Sequence, residues 1–455
     1  MTTDTKGPLE AGRPVGAEVG AGEPVGPAGF SVARLPRILF GSGTSGELGS
    51  VAREFGRKAL VVVRGTEFTE SLDWVRVLVA MEAAGVEVTL ESVSSEPSPM
   101  LVDEIVARHR GSGTGSGTGS GAAAIEVVVG IGGGSVLDTA KAVAGLLIPG
   151  NSVTDHLEGV GPELPYRGPS VPFVAVPTTA GTGSEATKNA VLSVRGAGGY
   201  KKSFRDEQLV ARAAIVDPDL LAACPPALIA ANGMDALTQL LESYVSTKAG
   251  PFTDALALSG LAAARDGLSL WFAEAVAGRG AGEPGSAAAA ARGLMAYAAL
   301  CSGICLAQSG LGSVHGLASP LGAQYPIPHG VACGATLSAA TRVNIAAMES
   351  RDPGNRALRR YADVGRLLVG AGVGAAAADA GAAAADADAD RQARAALVST
   401  LESLTARLAV PRLSAFGLAE SSIPALVADS RGSSMRTNPI ILTDDEIVEV
   451  LRASL

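Results

Sequence analysis

Two segments far apart in the chain, Asp235-Ala-Leu-Thr-Gln239 and His315-Gly-Leu-Ala-Ser-Pro-Leu-Gly-Ala-Gln-Tyr-Pro-Ile-Pro-His329, hold one carboxylate and two of only four histidines in apolar, helix-forming surroundings. Residues four apart on a helix share a face, so Asp235 points with Gln239 and His315 with Ser319. One such face from each of two helices, with His329 following Pro328, is the parts list of a divalent metal site. A carboxylate buried in an apolar helix is costly without a partner, as is a cluster of imidazoles, and one cation would compensate both. The same residues admit a plainer reading, in which Asp235 caps a helix after Gly233 and each histidine is a hydrogen-bonded core residue. His109 and His156 sit in polar contexts and are expected in structural or surface roles.

Upstream, Gly130-Ile-Gly-Gly-Gly-Ser135 and Pro177-Thr-Thr-Ala-Gly-Thr-Gly-Ser-Glu185 follow apolar, strand-like runs, which is where an α/β protein holds phosphates. Gly132, Gly133 and Gly134 are expected after a strand from Ile125 to Val129 and before a helix opened by Ser135, with Asp138 in its first turn. Absent Cβ atoms let the backbone approach a pyrophosphate, and the helix N-terminus offers free N–H groups. A glycine turn before an Asp-capped helix also arises for structural reasons. The second loop adds more than a turn needs, four hydroxyls within seven residues at Thr178, Thr179, Thr182 and Ser184. The glycines do not form the G-x-G-x-x-G fingerprint, so an ordinary Rossmann domain is not implied. Arg64-Gly65 follows the run ending at Val63, where an acidic residue would select NAD through the ribose 2'-hydroxyl; a cation there leans toward NADP. Metal plus nucleotide points to a dehydrogenase.

These residues need elements to position them. Arg37 to Phe40, Ala59 to Val63, Val88 to Val93, Phe173 to Val176 and Ala214 to Val216 are short β-type runs separated by helical stretches such as Glu70 to Ala84 and Val102 to His109, an alternation that implies a parallel sheet. From Pro225 onward the chain reads as successive Ala- and Leu-rich helices. The expected organisation is a disordered Gly/Pro-rich tail over 1–30, an α/β dinucleotide-binding domain over 31–217 and an all-α metal and substrate domain over 218–455. A Gly/Ser insert at 111–121 is expected to be a flexible solvent loop without chemistry, and an Ala/Asp-rich low-complexity stretch at 374–390 interrupts the helices. A cleft between the halves is the expected ligand site.

The 455 residues suffice for two or three domains. A formal charge of -9 and a pI near 5.2 argue against nucleic acid or an anionic membrane, since those partners need a basic surface. No apolar run approaches the roughly 20 residues of a membrane span, and the N-terminus lacks the order of a signal peptide, so a cytoplasmic protein is expected. Cys224, Cys301, Cys305 and Cys333 fit no disulfide or zinc-knuckle spacing and read as buried thiols.

With these residues placed, the chain resembles the iron-containing (group III) alcohol dehydrogenases. The resemblance rests on Gly132-Gly-Gly-Ser-Val-Leu-Asp-Thr-Ala-Lys141, Pro177 to Glu185, Gly233-Met-Asp-Ala-Leu-Thr-Gln-Leu-Leu-Glu-Ser-Tyr244 and His315 to Gly330, spread over roughly 36 to 345. It implies an α/β nucleotide domain and a helical metal domain with NAD(P) and metal facing each other, and it implies that Lys201 reaches the nicotinamide ribose. Two positions depart from the family pattern. A second ligand histidine is replaced by Gln239, and a histidine of the proton relay by Ser319. The remaining Asp235, His315 and His329 look like the three-ligand zinc set of glycerol dehydrogenases and dehydroquinate synthases, so the ion is iron or zinc. Gln239 can still coordinate through its amide oxygen, a weaker donor than imidazole. The expected activity is metal-assisted, NAD- or NADP-dependent interconversion of a small alcohol with its aldehyde or ketone, by a homo-oligomer. The alternatives are a maleylacetate reductase-like enzyme, or a dehydroquinate synthase-like lyase needing a basic pocket for which the helical half shows no cluster of Lys and Arg.

Overall fold

The computed structural model describes residues 29–65, 68–94, 96–110, 124–196, 199–370 and 382–455. The expected tail, except for its last two residues, the Gly/Ser insert and the first part of the Ala/Asp-rich stretch lie outside these. Eight strands are described: β1 (Arg37–Phe40), β2 (Lys58–Arg64), β3 (Glu87–Val93), β4 (Val127–Gly132), β5 (Phe173–Pro177), β6 (Asn189–Val194), β7 (Tyr200–Arg205) and β8 (Ala213–Val216). Six form one parallel sheet in the order β1-β8-β5-β4-β2-β3. Both faces of such a sheet are covered, which is why its central strands read as unbroken apolar runs rather than alternating ones. Helices α1 (Leu48–Arg53), α2 (Leu72–Ala83), α3 (Pro99–His109) and α4 (Gly134–Leu146) complete this half. The order in which strands are added reverses between β2 and β4, with β3 on one side of β2 and β4 on the other, and the parallel pairing of Val63 with Ile131 sets Arg64 beside Gly132 at the carboxyl ends of the strands. In open α/β sheets that crevice is the ligand site.

Two sequence expectations change. The strand expected at Ile125 to Val129 begins and ends later, so Gly130 and Gly132 are strand residues, Gly133 caps α4 and Gly134 opens it. Pairing on both sides, with β2 and with β5, overrides the poor strand propensity of glycine. The antiparallel hairpin β6–β7 had no counterpart in the sequence reading, because Lys201, Lys202 and the glycines before them resemble a polar connector.

The second half is helical: α5 (Pro226–Val245), α6 (Pro251–Val276), α7 (Ala287–Ser309), α8 (Ser313–Gln324), α9 (His329–Arg351), α10 (Arg356–Leu368), α11 (Ala382–Arg407), α12 (Ile423–Asp429) and α13 (Asp444–Ser454). Its centre is α5, buried from Ile229 to Val245 except at Asn232 and packed against α6, α7 and α9. By length and composition α7 alone among the described helices could cross a membrane, but it lies against α5 and α6 with 67% of its most apolar window buried, as a core helix does. The halves meet at two glycines. A Cβ on Gly183 would stand 2.4 Å from the Cα of Gly303, and one on Gly303 would stand 2.2 Å from the Gly183 carbonyl oxygen. Gly183 also has φ +59, so a side chain there would be strained as well as crowded.

Candidate metal centre and nucleotide cleft

Three helices bring the metal candidates together. α5 supplies Asp235, α8 supplies His315, and α9 opens at His329 and presents Cys333 one turn later. Single donor atoms of these four residues all lie within 4.8 Å of one another. Asp235 Oδ1 is 3.2 Å from His315 Nε2 and 3.8 Å from His329 Nε2. Cys333 Sγ is 3.7 Å from His315 Nε2 and 3.9 Å from His329 Nε2. Behind His315, Glu242 Oε2 lies 2.6 Å from Nδ1, and Glu242 Oε1 accepts from the backbone N–H of Val314 at 2.7 Å. A carboxylate on Nδ1 fixes the imidazole with Nε2 turned toward Asp235 and the other donors, the outer-sphere arrangement of metal-bound histidines.

The electrostatics suit a cation. Burial opposes ionisation of Asp235, but His329, His315 and the Gln239 amide outweigh it and draw the carboxyl down to about 2. Burial and the Lys201 ammonium push the His329 imidazole down to about 3, the neutral form a metal needs. Burial raises the Cys333 thiol to about 11. His329 Nδ1 is buried with no hydrogen-bond partner. A carboxylate, two imidazoles and a thiol converging without a neighbouring ammonium or guanidinium bonded to them are a donor set that fits a divalent ion.

Gln239 lies beside Asp235 and is hydrogen-bonded on both sides. Its amide oxygen already accepts from Ser302 Oγ at 2.8 Å, on α7, and its hydrogen bond to Asp235 occupies the other end of the amide. The Ser319 hydroxyl lies 3.5 Å from the His315 carbonyl of its own helix. Cys333 is the site residue that sequence reasoning passed over. The available signal was its spacing, four after His329 on the same helix face.

Across the cleft, β4 and β5 end side by side, with Gly132 opposite Pro177, and Thr178 N donates to Gly132 O at 3.0 Å. No side chain caps α4, so its first N–H groups are free for an anion. A Cβ on Gly133 would stand 3.1 Å from Thr179 Oγ1, and one on Gly134 would stand 2.7 Å from Thr182 Cγ2. The two loops are thus packed together, and Gly133, Gly134, Ser135, Thr178, Thr179 and Thr182 all remain partly exposed on that surface.

Asp138 and Ser184 are hydrogen-bonded to each other behind the loops. Ser184 Oγ donates to Asp138 Oδ1 at 2.6 Å, and Asp138 Oδ2 accepts from Val191 N at 3.2 Å. The wholly buried Lys141 donates to the Ser184 carbonyl, Ser184 Oγ, Thr187 Oγ1 and the Asn189 carbonyl at 2.7–3.0 Å, with Asp138 3.8 Å away. Burial lowers Lys141 to about 8 against the opposing pull of Asp138. This knot ties α4 and the threonine loop to the hairpin, whose strand β7 carries Lys201 into the space between the halves. Its charge is felt both by Asp138 and by His329. The remaining histidines lie elsewhere: His109 pairs with Glu91 at 2.7 Å, and His156 stacks on Phe204.

The comparisons agree with this geometry. The family model "Iron-containing alcohol dehydrogenase" matches residues 36–218, and "Fe-containing alcohol dehydrogenase family, C-terminal" matches residues 229–455. Lactaldehyde reductase of Escherichia coli is 31% identical over 420 residues, 90% of this chain and 96% of that protein. Alcohol dehydrogenase 4 of Schizosaccharomyces pombe is 33% identical over 327 residues, 71% of this chain and 68% of that one. The solved structure of a 1,3-propanediol oxidoreductase superposes with a TM-score of 0.74 at 25% identity, covering 94% of this chain and 100% of that one. A parallel sheet, a helical half with a convergent donor set and these matches have one common explanation: the chain belongs to the iron-containing alcohol dehydrogenase family, as a metal-dependent, nicotinamide-linked alcohol and aldehyde oxidoreductase.

Proposed function

We propose that the protein interconverts a small alcohol and its aldehyde or ketone, and that it accepts NADP(H) as well as NAD(H). The observation that carries this reading is the convergence of the metal donors in the helical half, with the charge of Lys201 reaching both His329 there and Asp138 on the helix that follows the glycine loop. A divalent ion held by Asp235, His315 and His329 would act there as a Lewis acid on the substrate oxygen during hydride transfer. Each residue then has a task. The uncapped N–H groups at Gly134 and Ser135, with Gly133 and the hydroxyls of Thr178, Thr179 and Thr182, hold the pyrophosphate and nicotinamide ribose. Lys201 reaches the ribose, and Glu242 keeps His315 in the tautomer that coordinates.

Arg64 supports the cofactor reading. It is exposed at the end of β2, at the switch point, where a guanidinium meets a 2'-phosphate and a carboxylate would bind the 2'-hydroxyl instead. A cytoplasmic, homo-oligomeric enzyme completes the proposal; the apolar stripe of Leu72, Val75 and Val79 on α2, 76%, 53% and 59% exposed, supports a self-contact. The test is an absorbance screen of NADH and NADPH against short aldehydes, with Arg64→Asp alongside. The variant should lose NADPH turnover preferentially. No turnover of any aldehyde with either cofactor would reject the reading.

A further inference from the structure

Gln239 and Cys333 compete for one role, and the structure separates them. A tetrahedral ion with nitrogen and oxygen ligands at about 2.0–2.1 Å and sulfur at about 2.3 Å holds its donors roughly 3.3–3.6 Å apart. The Asp235 oxygen and the two Nε2 atoms stand 3.2 and 3.8 Å apart, and the Cys333 sulfur stands 3.7 and 3.9 Å from the same nitrogens. Four of the six donor-to-donor separations are thus close to coordinating values, and all lie within 4.8 Å. The Gln239 amide oxygen instead faces the Ser302 hydroxyl on α7, 2.8 Å away.

We propose that Cys333 is the fourth protein ligand of the metal, in place of the side chain at 239, and that Gln239 serves only to orient Asp235 from behind. This rests on the metal-assisted reading above and deepens it. His329 and Cys333 are one helical turn apart, so a single rigid element offers both an imidazole and a sulfur to the same point. Binding exchanges the thiol proton for the metal, the proton leaving to solvent, so charge and atoms balance. A thiolate softens the site and shifts preference toward zinc over ferrous iron, relative to a site of oxygen and nitrogen alone. Of the other cysteines, Cys301 and Cys305 are buried within α7 and Cys224 lies against the Thr178 carbonyl, so none belongs to this donor group.

The test uses the full chain loaded with cobalt or zinc. Cobalt-loaded protein should show a sulfur-to-cobalt charge-transfer band in the near ultraviolet, and zinc-loaded protein one sulfur scatterer at about 2.3 Å by X-ray absorption. Cys333→Ala should abolish the band and weaken zinc binding by at least about tenfold, while Gln239→Ala should retain the band. The wild-type spectra decide the matter even if Cys333→Ala does not fold. Stoichiometric metal with no sulfur in its shell overturns the assignment of Cys333 alone. A protein that binds no divalent metal overturns both this assignment and the function proposed above.

Discussion

Two aspartates, the partly buried Asp138 and the buried Asp235, one in each half, meet the same problem with opposite solutions. Asp138 is neutralised from within: Lys141 lies alongside, Ser184 and Val191 donate to it, and the knot closes on itself. Asp235 is surrounded by imidazoles, a thiol and an amide, with no lysine or arginine bonded to it. Burial raises the pKa of Asp138, whereas the imidazoles overcome burial and keep Asp235 ionised. The first arrangement is complete as a piece of architecture. The second draws its positive charge from imidazoles that can give up their protons, a role that a cation from outside would take over, and that difference separates a closed carboxylate knot from one able to accept an ion.

The comparison can be broken at either end. The largest effect should come from His329→Ala, which removes an imidazole and lets water into the cluster. Metal content should fall to background, and because a metal supplies several kcal/mol of charge stabilisation, turnover should drop on the order of 10³-fold; metal analysis with steady-state kinetics checks both. Lys141→Met should strip Asp138 of its internal cation and destabilise the fold by about 3 kcal/mol or more. Denaturant titration reads that loss, and the folded fraction should still carry its metal.

A smaller, pH-dependent effect belongs to Glu185, buried in the threonine loop, whose carboxyl burial pushes from 4.5 up to about 7. The folded chain holds this proton more tightly than the unfolded chain, so its contribution to stability falls as pH rises through that window and is flat beyond it. Glu185→Gln should therefore match the wild type below the window and exceed it above, at roughly 1.4 kcal/mol per pKa unit. Denaturant melts on both sides of the window measure the crossover. The smallest effect should come from shortening the Gly/Ser run at 111–121, since loop closure entropy changes slowly with length. Kinetics and melting temperature should stay within error.

What could be read from the sequence follows the same division. The phosphate loops were legible because a strand, a glycine turn and a helix N-terminus are contiguous, and their chemistry is that of the backbone. Asp235, His315 and His329 were legible because such residues are rare in apolar helices. Hydroxyls and thiols carry no such mark. Ser184 looked identical to Thr179 until the packing turned one into the Lys141 knot and left the other in the cleft. Cys333 looked like three other buried thiols until the rotation of α9 aimed it at His315. The direction a helix face takes is decided by contacts with distant elements, and those are written into no local window.

The contact of Gly183 with Gly303 has a consequence for the reaction itself. Main chain rests on main chain there, without a side chain as spacer, so the spacing of the α/β half from the helical half is set at that joint by the backbone itself. A hydride crosses only when donor and acceptor carbons are held close and aligned, and a misplacement of about 1 Å can cost about 10²-fold in rate. One methyl group at this joint would act as a wedge: every residue of the chemistry would remain intact, and the two carbons that must meet would be held apart.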